Sequence, residues 1–168
     1  GGSREGGKHW AEHWSSHGFV VVAMQHPGSD ESLWQGEAPR NSEKNMKSGI
    51  TFTNLGLRIG DVRFVIDEVT RRTGNGETPF VNADTKRLGM AGHSFGAQTT
   101  MAIAGQNMSA LGGQFGLDSR ISAAIAFSPN ARNKSGLAHQ YGGINTPFFS
   151  ITGSEDGILV KTGIAATV

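Results

Sequence analysis

The residues with the sharpest chemical signature are Gly92-His93-Ser94-Phe95-Gly96. A serine hydroxyl is a poor nucleophile unless the fold presents it and a base takes its proton. A Gly-x-Ser-x-Gly turn solves the presentation. The serine sits in a strained backbone conformation, and the flanking glycines let strand and helix approach without a Cβ clash. The surroundings agree: an apolar run at 88–91 leads in, and a helical pattern at 97–106 leads out. The bland alternative is a glycine-rich turn at a strand end. Two carboxylates, Glu155 and Asp156, follow the apolar run 148–152 inside Gly153-Ser154-Glu155-Asp156-Gly157. Either can orient an imidazole, and the alternative is a solvated acidic turn.

The remaining candidates are weaker. His9, His13 and His17 stand four apart and form one stripe on a helix, a spacing that can hold zinc. Gly18 ends that helix beside His17, and Glu12 lies on another face, so a solvated polar stripe is the preferred expectation and no metal site is assigned. Arg58 with Asp61, and Arg63 with Asp67, are helix pairs expected to give surface support. His26 stands where the apolar run 19–24 gives way to Pro27-Gly28, and His139 lies in an irregular segment; both are candidate bases and neither is preferred. No P-loop, dinucleotide fingerprint or Cys/His cluster is present in the sequence, and cysteine is absent.

These groups need elements to position them. Trp10 and Trp14 share a helical face within 7–16. The run 19–24, Phe-Val-Val-Val-Ala-Met, is continuously apolar and β-branched and reads as a strand buried on both faces of a parallel sheet. Residues 28–50 are polar and punctuated by Gly, Pro, Ser and Asn, which predicts a long irregular loop. Trp34 in that loop is a candidate for the pocket wall and equally a cover for the core from outside. Leu57, Ile59, Val62, Val65, Ile66 and Val69 fall largely at helical spacing and predict an amphipathic helix ending near Arg71-Arg72. Strands are expected at 88–91, 121–127 and 148–152, with 130–145 irregular. Alternating strands and helices predict an α/β fold with a mostly parallel sheet flanked by helices, in one domain spanning 1–168.

Bulk properties narrow the function. A formal net charge of +1 gives no reason to expect nucleic acid or an anionic membrane as partner. No apolar run approaches the roughly 18 residues of a membrane span. The 168 residues suffice for a hydrophobic core, and the 25 glycines fall mostly between apolar runs, as turns.

The stretch Met90-Ala91-Gly92-His93-Ser94-Phe95-Gly96-Ala97 resembles the nucleophile turn of the α/β-hydrolase superfamily. More narrowly it looks like the branch of predicted dienelactone hydrolases and platelet-activating-factor acetylhydrolases. His17 to Ala23 followed by His26-Pro27-Gly28-Ser29, Arg58 to Asp67, and Pro147 to Asp156 resemble, in order, that branch's fourth strand and loop, the helix before its nucleophile strand, and its seventh strand with the acid. The resemblance implies a serine hydrolase that cleaves a carboxylic ester of a small molecule without a cofactor. Ser94 would be the nucleophile, and Asp156 matches the family position of the acid better than Glu155. The Phe95 N–H would be one oxyanion donor, while Gly1-Gly2-Ser3 looks like the tail of the loop holding the second. His93 would pack into the turn. In the family the histidine base follows the acid, whereas all six histidines here precede Asp156. The expectation is therefore a fragment lacking the family's first three strands and its last strand-helix unit, base included. A peptidase or acyltransferase on the same scaffold, or a non-catalytic binding module, are the alternatives.

Overall fold

The computed structural model describes residues 3–33, 35–108, 112–131, 136–154, 156 and 164–165. The chain divides into two compact units, Gly1–Thr85 and Lys86–Val168.

The first unit is helical. A 3-10 turn, Arg4–Gly7, leads into helix α1, Lys8–Ser16. Trp10 and Trp14 share a face as expected, their ring centroids 6.0 Å apart. Gly18 stops the helix at φ +85°, a left-handed conformation that costs a residue without Cβ little. The next segment departs from expectation. Residues 19–24 join no ladder, and Phe19, Val20 and Val22 are exposed. Apolar composition makes a segment fit for a sheet, but a strand exists only where a neighbour takes its backbone hydrogen bonds. Among the described residues no strand pairs with this segment, and the Phe19 N–H donates instead to the Trp14 carbonyl at 3.2 Å.

The polar stretch 28–50 also differs from the predicted loop. It holds a 3-10 turn, Glu31–Leu33, and helix α2, Pro39–Ser48. Pro39 sits at the first turn of α2, where its missing N–H costs no hydrogen bond. Helix α3, Phe52–Gly74, is longer than the periodicity predicted. Thr51 caps it by accepting from the Asn54 N–H at 3.0 Å. Leu55, Ile59, Val62 and Ile66 form its buried stripe, with Arg58 among them. Phe64 and Leu57 stay exposed on other faces.

The second unit is mixed α/β. Strands β1, Leu88–His93, and β2, Ile121–Phe127, pair in parallel, and β2 pairs in parallel with β4, Phe148–Ile151. Between them β3, Asn130–Ala131, forms a two-residue antiparallel ladder with β5, Ile164–Ala165. The three-stranded sheet runs in the order β1-β2-β4. Helix α4, Phe95–Ile103, crosses from β1 toward β2 and packs on both. Helix α5, Leu137–Tyr141, occupies part of the segment predicted to be irregular. Ala97 and Met101 of α4 meet Ala126 of β2 in the core, with Tyr141 and Phe148 packed against them. Burying Met101 there is worth about 1.5–3 kcal/mol relative to leaving it in water. Thr99 and Thr100 are buried on the same helix, and their hydroxyls donate to the carbonyls of Phe95 and Gly96, both at 3.0 Å, so neither is left unsatisfied.

Candidate functional site at the carboxyl edge of the sheet

Strand register decides what gathers at this edge. His93 lies opposite Phe127, and Phe127 opposite Ile151. The residues that follow, Ser94, Ser128 and Thr152, therefore leave the sheet side by side. In open α/β sheets this carboxyl edge is where ligands bind.

Ser94 occupies φ +56°, ψ −115° between the last residue of β1 and the first of α4. A non-glycine residue at positive φ is strained by about 1–3 kcal/mol and persists where its surroundings over-determine it. Here the Ser94 N–H donates to the Phe127 carbonyl at 3.0 Å and the Ser94 carbonyl accepts from the Gln98 N–H at 3.2 Å. Gly92 makes the turn possible. A Cβ at that position would run into the Gly96 backbone and come within 2.7 Å of Thr100 Oγ1. Ser94 itself is exposed, as a nucleophile must be.

Phe95 is buried at 5% exposure, and its N–H belongs to the cluster of donors that a helix presents at its first turn. Those N–H groups and the helix dipole favour developing negative charge in front of Ser94.

Asp156 is brought to the same edge. Its Oδ2 accepts from the Gly153 N–H and from Thr152 Oγ1, both at 2.8 Å. The Gly153 N–H, the Thr152 hydroxyl and a hydrogen bond from Ser128, with help from the His93 charge, hold its carboxyl below the usual carboxylate range. Ser128 also stands at positive φ, +50°, with its N–H donating to the Ile151 carbonyl at 2.7 Å. Ser128 is not among the residues expected at the site. The signal was present in Ser128-Pro129, which ends β2 as Ser94 ends β1.

His93 departs from expectation. It was expected to fill the turn, but it alternates outward in β1 and is exposed. The atoms crowding its imidazole nevertheless push its pKa down, with Asp156 opposing the shift. Trp34, Glu155 and Gly1 lie outside the described residues.

The helical unit carries a second polar cluster. Arg58 was expected on the surface; it is 1% exposed. Its Nε donates to Ser29 Oγ at 2.8 Å and its second guanidinium nitrogen to the Ser29 carbonyl at 2.7 Å. Burial pushes the guanidinium down to about 10, with Asp30 and Asp61 opposing. Asp61 receives the Nδ1–H of buried His26 at 2.7 Å. That bond fixes the tautomer and leaves the lone pair on Nε2. Asp30 in turn accepts from Gln25 at 2.8 Å and from Ser32. The i,i+3 spacing of Arg58 and Asp61 signalled a pair. Their partners come from residues 26–30 and could not be read from spacing along one helix.

Among the described residues no group of three or more His, Cys, Asp or Glu is arranged to hold a metal ion, and no helix is long and apolar enough to cross a membrane. No family model, no curated protein and no solved structure matches the chain.

Proposed function

We propose that this chain is an α/β-hydrolase that cleaves carboxylic esters through an acyl-enzyme on Ser94. The observation that carries the reading is the backbone of Ser94, held at φ +56° where a parallel strand turns into a helix. Strain of this kind clusters at functional sites, and Gly92 is in place to allow it. Support comes also from Asp156, a hydrogen-bonded carboxylate at the same edge of the sheet.

In this reading Ser94 Oγ attacks the acyl carbon and a histidine accepts its proton. Asp156 orients and stabilises that histidine as imidazolium without taking the proton itself. The oxyanion forms in front of the first turn of α4, where the Phe95 N–H is one donor. One such donor is worth about 2.7–4 kcal/mol of transition-state stabilisation. Small or short-acyl esters are the proposed substrates.

Hydrolysis of nitrophenyl esters of graded chain length, run beside peptide substrates, tests the reaction class. Turnover of short esters that is lost in Ser94→Ala supports it. Cleavage of peptides alone, or ester turnover that survives Ser94→Ala, overturns it.

A further inference from the structure

The histidine stripe of α1 has a geometry that the hydrolase reading does not use. Of the three imidazoles, two have come together: the rings of His13 and His17 lie 4.4 Å apart between centroids, at an interplanar angle of 44°.

 Both residues are exposed. His9, one turn earlier, is turned to Glu12 instead, at 3.7 Å.

His17 is also prepared electronically. Its Nδ1 lies 2.9 Å from the His13 carbonyl oxygen, which can only accept, so Nδ1 carries the proton and the lone pair sits on Nε2. Ser16 Oγ donates to the same carbonyl at 2.7 Å and lies 3.2 Å from that Nδ1. A backbone carbonyl taking the remote ring N–H is the support that metal-bound histidines almost always have. His17 caps the C-terminal end of α1, where the helix dipole favours a cation.

We propose that His13 and His17 form a two-imidazole site for a divalent transition ion of the zinc and copper class, with water completing the coordination. Imidazole suits these ions. Residues four apart are neighbours on one helical face, and two Zn–N bonds of about 2.0–2.1 Å need only modest rotation of two exposed rings to converge. His9 is excluded from the same ion, because eight residues along a helix separate it from His17 by about 12 Å. The bound ion ties the last turn of α1 to its cap.

The test is calorimetric titration of the full chain with Zn2+, repeated for His13→Ala, His17→Ala and His9→Ala. Circular dichroism of each variant establishes that α1 and the fold persist. The site predicts one equivalent bound, affinity reduced by about tenfold or more in the first two variants, the scale on which ligand surroundings act, and no change in the third. Electron paramagnetic resonance of the Cu2+-loaded chain should show coupling to two imidazole nitrogens. Equal affinity in all four proteins, or loss on His9→Ala, overturns the proposal.

Discussion

The N–H of Ser94 donates to the carbonyl of Phe127 at 3.0 Å, so the residue that leaves β1 is still hung from β2. Ser128 repeats the arrangement one strand further, donating to Ile151 at 2.7 Å. Both serines stand at positive φ. The sheet holds two strained residues at its carboxyl edge through the same ladder that builds its core, which is how a turn of this cost stays rigid enough to aim a hydroxyl.

Gly92→Ala should destabilise the second unit, because its Cβ has no room between the Gly96 backbone and Thr100. Overpacking of this kind costs about 1–3 kcal/mol. Gly89→Ala is the matched comparison: its Cβ meets nothing closer than the Ala123 carbonyl at 3.8 Å. Urea unfolding of the two variants should separate them clearly, and equal midpoints would contradict the packing described at Gly92.

Arg58→Met should loosen residues 26–30 by removing two hydrogen bonds to Ser29 and leaving buried polar groups without them. Hydrogen bonds to charged groups contribute about 1.5–3 kcal/mol each. The loss should be visible as a lower unfolding midpoint and faster amide exchange in 26–30. A variant as stable and as protected as the parent would return Arg58 to the surface role expected from spacing.

Acid should weaken the fold through His26. Burial lowers its pKa from the ordinary 6.5, Asp61 opposes the shift, and Arg58 adds to it. The unfolded chain then binds the proton first, so stability is fully present above 6.5 and falls as pH drops from there toward the depressed folded value. His93 acts in the same direction, and Asp156 adds a further loss below 3.8, again toward its lowered folded value. Unfolding free energy measured between pH 7.5 and pH 5 tests this, with His26→Gln expected to flatten the profile.

The exposed apolar segment 19–24 predicts self-association. Phe19 is 64% exposed, with Val20 and Val22 beside it, and β-prone apolar segments without a partner aggregate. Phe19→Ser with Val20→Thr should reduce concentration-dependent light scattering. Unchanged scattering would place the sticky surface elsewhere.

Much of the second unit was legible in the sequence because its signals are local. The runs of β1, β2 and β4 are short, apolar and bounded by turns, and β2 spans the predicted 121–127. The glycine at 92 announced the turn around Ser94, since a Cβ there would meet the Gly96 backbone. The first unit was harder for physical reasons. The apolar run 19–24 has the composition of a buried strand, yet pairing is decided by a neighbour that no local pattern contains. Helix α2 was hidden by polarity, because a helix without a clear apolar stripe looks like a loop. Arg58 resembled a solvated helix pair, and its burial depends on Ser29, twenty-nine positions away. Ser128 was marked only by the turn Ser128-Pro129 after β2: its hydrogen bond to Asp156 could not be read there, because a positioning hydroxyl has no motif.

The central claim is that the strained serine is a nucleophile. Labelling of the protein with a fluorophosphonate tests it most directly, since the probe bonds covalently to an activated serine Oγ. One label is expected, mapped by peptide mass to Ser94, lost in Ser94→Ala and strongly slowed in Asp156→Asn. Absence of labelling, or labelling that persists in Ser94→Ala, would contradict it.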